Sequence, residues 1–198
     1  IPFEEVPILQ KMIIKKALQK GRHTITATQM LDSMTKNPRP TRAEATDVAN
    51  AIYDGTSAIM LSGETAAGKY PVEAVQTMDK IAVYAESSIN YKRRFGHLDS
   101  NNGLGVTEAI SHATCTVAHD LDAKAIITVT RSGQTARMIS KYRPHIPIIS
   151  CTTEQIVYQQ LSLSWGVTPL LCEYRNTTES LFDHAVSTAK EAGFVTCG

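Results

Sequence analysis

The chain has 198 residues, 42% of them hydrophobic, and a formal net charge of +1 at pH 7. That length can bury a real core, in one large domain or two small ones. The near-zero charge offers no basic field for nucleic acid, no apolar run approaches the roughly 20 residues that span a bilayer, and no signal-peptide pattern is present.

Ile1 is an unusual first residue, and the chain reads as a fragment or a processed piece. Phe3 to Lys20 reads as an amphipathic helix. Val6, Leu9, Ile13, Ala17 and Lys20 share one face, Gln10 and Ile14 lie beside it, and Lys11, Lys15 and Lys16 face water. Glu4 and Glu5 near its positive end and lysines near its negative end suit the helix dipole, and Gly21 ends it.

Thr24-Ile25-Thr26-Ala27 is a short run of strand formers, with Thr28-Gln29 at its C-terminal end. Asn37-Pro38-Arg39-Pro40-Thr41 cannot continue a helix, because each proline lacks a donor and restricts the residue before it. Thr41 or Arg42 then opens a helix that runs to Asp54, where Gly55 stops it. Ala58-Ile59-Met60-Leu61 is wholly apolar and short, as expected of a buried parallel strand, and Ser62-Gly63-Glu64-Thr65 follows at its end. Both strands therefore end in hydroxyls and carboxylates, where open α/β sheets and (β/α) barrels place their sites. Pro71 starts a helix reaching about Tyr91, with Val72, Val75, Met78, Ile81, Ala82 and Ala85 as its apolar stripe.

Lys92 to Gly103 turns charged and then rich in Asp, Ser, Asn and Gly, so it reads as a linker. The organisation expected is residues 1–91, linker 92–103, and a second domain over 104–198. Beyond the linker, helices are expected over Thr107–Leu121, Gly133–Tyr142, Thr153–Leu163 and Thr177–Ala192. The strands expected are Ala125–Val129, Pro147–Cys151 and Val167–Leu171. This alternation with short loops predicts right-handed crossovers and a parallel sheet covered on both faces.

The loop Thr130-Arg131-Ser132-Gly133-Gln134-Thr135 follows one of these strands and opens a helix. Unpaired N–H groups, three hydroxyls, a glycine and an arginine together make a phosphate cradle, although cap and turn roles need the same residues. No GxxxxGK[ST] loop is present. In the first segment, Thr28 and Ser62 can donate to a substrate carboxylate or phosphate, and each can instead cap the next helix. Glu64 and Asp47 lie near them, without metal-ligand spacing. Lys36, Arg39 and Arg42 cluster around the proline-rich loop, as solvated charges or as a subunit or anion contact. His112 and His119 are two helical turns apart, too far to share a metal. The four cysteines, Cys115, Cys151, Cys172 and Cys197, form no CxxC pair and read as free thiols in a reducing compartment.

Thr26–Met34 (TATQMLDSM), Pro38–Gly55 (PRPTRAEATDVANAIYDG) and Ala58–Val75 (AIMLSGETAAGKYPVEAV) together closely resemble pyruvate kinase. Thr130–Thr152 (TRSGQTARMISKYRPHIPIISCT) is similar to the regulatory C-terminal domain of that family. The resemblance implies an α/β fold class: the last strands and helices of a (β/α)8 TIM barrel, followed by a smaller α/β parallel-sheet domain. Ile1 then falls just after the family's metal-binding segment, and the family continues past Gly198 by two further strands.

The resemblance further implies phosphoryl transfer from phosphoenolpyruvate to ADP, giving pyruvate and ATP, with Mg²⁺ (or Mn²⁺) and K⁺. It makes Thr28 a catalytic and substrate-binding residue at the carboxylate, Ser62 a member of a proton relay, and Glu64 its neighbour. It places Arg42 at a subunit interface of a homotetramer. It gives Thr130, Arg131, Ser132, Gly133, Gln134 and Thr135 to the phosphate of a sugar-phosphate activator such as fructose 1,6-bisphosphate. No metal ligand falls in this segment by the resemblance, so the segment alone is expected to be inactive in a cytoplasmic enzyme. The other reading is a non-catalytic module that only binds a sugar phosphate or supplies oligomer contacts.

Overall fold

Thr41 accepts from the Glu44 N–H while the Glu44 side chain takes the Thr41 N–H, a reciprocal cap that starts a helix in the computed structural model. The structure describes residues 1–91 and 105–196; the linker expected over 92–103 and Cys197 lie outside them. The chain divides into two compact units, Ile1–Ile89 and Asn90–Gly198. Among the described residues no helix is long and apolar enough to cross a membrane.

In the first unit a 3-10 turn (Phe3–Glu5) leads into α1 (Val6–Gln19), then β1 (Ile25–Thr26), a 3-10 turn (Asp32–Thr35) and α2 (Arg42–Asp54). After these come β2 (Ala58–Ile59), α3 (Gly63–Ala66) and α4 (Pro71–Ser87). Gly55 closes α2 at φ 91°, a left-handed conformation that glycine adopts without steric cost. β1 and β2 pair in parallel, Ile25 opposite Ala58 and Thr26 opposite Ile59. The buried Thr56 hydroxyl fastens them, donating to the Thr24 carbonyl at 3.2 Å or the Ala58 carbonyl at 3.0 Å and accepting from Thr26 Oγ1 at 3.0 Å. Met30, Leu31, Met34, Val48, Ala51, Ala74 and Met78 form the core of this unit, with Ile59, Leu61 and Ile81 packed against it.

Three expectations for this unit change. α1 buries Ile14 and Leu18, whereas Val6 is 46% and Ile13 58% exposed. Those two face a groove of about 440 Å³ along β1, which the described residues leave unfilled. The apolar run Ala58–Leu61 is only half-buried, with Met60 exposed, because the described residues cover the faces of this two-stranded pair only in part. α4 ends at Ser87 and buries Ala74, Met78 and Ala85, leaving Val72 and Val75 outside. Small side chains at Ala51 and Ala74 let the α2 and α4 backbones approach, and the branched valines turn away.

In the second unit α5 (Val106–Asp120) precedes β3 (Ile126–Val129), α6 (Gln134–Lys141), β4 (Ile148–Thr152), α7 (Gln155–Leu161), β5 (Val167–Leu171) and α8 (Thr178–Glu191). The sheet order is β3-β4-β5, all parallel, with Ile126 opposite Ile148 and Ile148 opposite Val167. Those three side chains lie on one face and pack with Cys115, Ala118, Ala136, Ile139 and Leu161 of α5, α6 and α7. Cys151 points to the other face, where its thiol lies 3.8 Å from the Ala185 carbonyl of α8. The sheet is thus covered on both faces, as the alternation of elements predicts. α7 is shorter than expected, starting at Gln155, because Thr152 accepts the Glu154 N–H and holds the chain extended there.

Cys115, Cys151 and Cys172 are free. Burial pushes the Cys115 thiol up to about 12 and the Cys151 thiol up to about 11. Both are therefore inert packing groups at neutral pH. His112 meets the Tyr142 ring edge-on at 5.2 Å, and His119 stacks on His145 at 4.7 Å.

Candidate functional site

Two sets of residues, one in each unit, carry the candidate chemistry. The first lies where the chain leaves β1 and β2. Glu64 is 2% exposed, and its carboxylate accepts from the Leu31 N–H at 3.1 Å and the Ser62 N–H at 2.8 Å. Burial pushes its pKa up, but its own backbone N–H and those of Leu31 and Ser62 outweigh that and hold it below the usual carboxylate value. One carboxylate therefore braces both loops, the one that carries Thr28 and the one that carries Ser62.

Thr28 sits at φ 72° and Gln29 at φ 52°, two successive non-glycine residues in the left-handed region. For a β-branched side chain this is a strained conformation, held by what surrounds it. The Thr28 hydroxyl donates to the Ala27 carbonyl at 2.6 Å and does not cap a helix. Ser62 precedes α3 but makes no side-chain cap bond either. Thr28 lines a groove of about 350 Å³ with Gln10, Lys11, Asp47, Asn50 and Asp54. Lys11 pairs with Asp54 across it. Asp47 lines this groove with Thr28, while Ser62 lies outside it.

Glu44 was not singled out by the sequence reading and proves central to the same loop. It accepts from Ser33 N at 2.7 Å, Ser33 Oγ at 2.6 Å, Thr41 N at 2.7 Å and Thr41 Oγ1 at 2.9 Å. Burial raises its pKa, and these donors outweigh the rise and lower it. The Thr-x-x-Glu spacing of Thr41 and Glu44 is the available signal for it. Gly68 is another missed residue: a Cβ there would stand 2.3 Å from the Glu64 carbonyl, so only glycine permits that approach. Arg42 opens α2 with an exposed side chain. Among the described residues no three His, Cys, Asp or Glu converge.

The second set is the loop Thr130–Thr135, at the end of β3 and the start of α6. Gly133 takes φ 77°, and its N–H donates to Thr130 Oγ1 at 3.0 Å. The Gln134 N–H donates to Ser132 Oγ at 3.4 Å. Both hydroxyls act as acceptors inside the loop, which leaves their own protons free for an outside acceptor. The Arg137 guanidinium, unremarked in the sequence, folds back to the Ser132 carbonyl at 2.9 Å and steadies the turn. Thr135 stands exposed in the first turn of α6, beside unpaired helix N–H groups. The Arg131 side chain is 90% exposed, and its Nε lies 3.6 Å from Glu154 Oε1. Hydroxyl donors, helix N–H groups and a guanidinium on one rim suit an anion.

Family models match both units: pyruvate kinase, barrel domain, over residues 1–75, and pyruvate kinase, alpha/beta domain, over residues 108–198. The pyruvate kinase of Clostridium acetobutylicum is 54% identical across all of this chain, which covers 42% of that relative. That of Geobacillus stearothermophilus is 50% identical, with 34% of it covered. A crystal structure of Cryptosporidium parvum pyruvate kinase superposes with a TM-score of 0.92 at 42% identity, covering all of this chain and 41% of that one. The chain thus spans between about a third and two fifths of the relatives that it matches.

Proposed function

The chain belongs to the pyruvate kinase family, and we propose that it is part of a subunit that transfers the phosphoryl group of phosphoenolpyruvate to ADP, giving pyruvate and ATP. The observation that carries the site assignment is the buried Glu64 carboxylate, which ties the Thr28 loop to the Ser62 loop. In this reading the Thr28 hydroxyl turns from the Ala27 carbonyl to donate to the substrate carboxylate, near the face where the enolate is protonated. Ser62 belongs to the proton relay behind it, and Glu64 positions both. Phosphoryl transfer depends on positioning and charge neutralisation rather than on covalent chemistry by the protein. The enolate that remains needs a proton from a hydroxyl or an ordered water, and the two strand ends supply hydroxyls for that step.

Mg²⁺ (or Mn²⁺) and K⁺ supply charge neutralisation in the whole enzyme, and we assign their ligands to parts of it outside this chain. The loop Thr130–Thr135 takes a phosphate of a sugar-phosphate activator. Arg42 is assigned to a contact between subunits of a homotetramer, on its exposed position at the start of α2. The free thiols suit a cytoplasmic enzyme.

The test is a coupled pyruvate assay on the full-length enzyme. Thr28→Ala and Ser62→Ala are expected to lower kcat by on the order of a hundredfold each, the usual weight of a proton-transfer group. Unchanged kcat in both would remove the strand-end site from the chemistry. The 198-residue chain alone is expected to form no pyruvate, and Mg²⁺-dependent turnover by it would overturn the division of labour proposed here.

A further inference from the structure

β3 and β4 are in register, Val129 opposite Cys151, so the loops that follow them lie side by side at the C-terminal end of the sheet. The first is Thr130–Thr135. The second is fixed at its root, because Thr152 Oγ1 accepts the Glu154 N–H at 3.2 Å. From that anchored position the Glu154 carboxylate meets Arg131 at 3.6 Å and lies within 3.5 Å of the Thr153 hydroxyl. In the paired loops, residues 130–135 and 152–155, Arg131 is the one cation and Glu154 the one carboxylate.

We infer that Glu154 is a built-in competitor for the anion: it pairs with Arg131 and sets how strongly a phosphate must bind to displace it. This inference rests on the reading of Thr130–Thr135 as an anion cradle. A phosphate entering the loop takes the Arg131 guanidinium away from Glu154 and leaves two negative groups on one rim. Its binding is weakened by the lost pair and by the repulsion. Both charges are exposed, with 90% and 47% of the side chains open to water, so the opposition is modest and sensitive to salt. Such a setting tunes the activator concentration to which the loop responds without altering the loop itself.

The experiment is calorimetric titration of the full-length enzyme with fructose 1,6-bisphosphate, comparing wild type, Glu154→Gln, Arg131→Ala and the double variant. Glutamine keeps the shape and the backbone anchor while removing the charge. E154Q is expected to lower Kd by about two- to fivefold at low salt, the range of an exposed ion pair, with the gain fading at high salt. The gain is expected to shrink or vanish in the R131A background. Wild-type affinity in E154Q alongside weakened binding in R131A overturns the competitor role and leaves the cradle standing. A gain that persists undiminished without Arg131 overturns the pairing. Affinity that changes in neither single variant overturns the cradle reading itself.

Discussion

Glu64 accepts a hydrogen bond from the backbone N–H of Leu31 at 3.1 Å, and this one contact links the loop after β1 to the loop after β2. The same carboxylate holds the Ser62 N–H at 2.8 Å. Removing it would leave two backbone donors without their acceptor in a nearly closed environment, at about 1–3 kcal/mol for the pair of loops. Glu64→Gln keeps one acceptor oxygen but turns an amide NH2 toward the other N–H, and is therefore expected to destabilise the first unit within that range and to lower kcat more than it raises KM. Urea unfolding and steady-state kinetics of the full-length enzyme check this, and unchanged values in both would refute the bracing role.

The sign of the pH effect follows from the direction of the shift. The folded pKa of Glu64 lies below its ordinary value of 4.5, so its contribution to stability is fully present above that value. It is lost as pH falls through the folded pKa. Glu44 is shifted in the same direction by Ser33 and Thr41 and adds to the effect. The gap in unfolding free energy between wild type and E64Q is thus expected to be constant from neutral pH down to about 5 and to narrow below 4.5. A gap that widens with acid would contradict it.

Thr28 allows strain to be separated from function. At φ 72° a threonine costs on the order of 1–3 kcal/mol, whereas glycine adopts that angle freely and loses about 0.5–1 kcal/mol in chain entropy. Thr28→Gly is therefore expected to leave stability unchanged or to raise it by about 1 kcal/mol while removing most of the turnover. Loss of stability together with activity would mean that Thr28 is a packing residue.

Gly68 supports the same site from behind. A methyl group there would meet the Glu64 carbonyl at 2.3 Å, so Gly68→Ala must shift α3 or its turn. Expected are a fall in unfolding free energy of about 1–3 kcal/mol and a kcat decrease in the direction of E64Q. An alanine variant with wild-type stability and rate would show that the turn yields without moving Glu64.

How far these features could be read in advance depended on whether their causes were local. Helix α2 was legible to the residue, because Thr41 caps it and Gly55 closes it through contacts within a few positions. The sheet of the second unit was equally legible from alternation, since its apolar strands find cover within the same unit. The buried stripe of α4 was misread because Val72 and Val75 are more apolar than Ala74, yet the close approach of α2 selects the smaller side chain. Glu64 was noticed, but its role was not, since its partner Leu31 is 33 positions away. Glu154 was missed for the same reason, since its partner Arg131 lies on another loop, and Arg137 because its reach back to Ser132 depends on the Gly133 turn; periodicity carries no trace of either.

Gly133 offers the sharpest test of the second unit. It sits at φ 77°, and a Cβ would stand 2.6 Å from an Arg137 guanidinium nitrogen and 3.1 Å from the Val157 side chain. An alanine at that angle is strained by about 1 kcal/mol or more even in open space, and here it also pushes Arg137 off the Ser132 carbonyl. Freed of both constraints, the loop would no longer present Thr130 and Ser132 as ordered donors. Gly133→Ala is accordingly expected to destabilise the second unit by about 1–3 kcal/mol and to weaken the response to fructose 1,6-bisphosphate at least tenfold, with turnover in its absence retained. The activation curve of the full-length enzyme, read beside its thermal unfolding, distinguishes the cases. Destabilisation with an unchanged activation curve would mean that the loop is a turn and nothing more, because a cradle built on these hydroxyls cannot lose its geometry and keep its affinity.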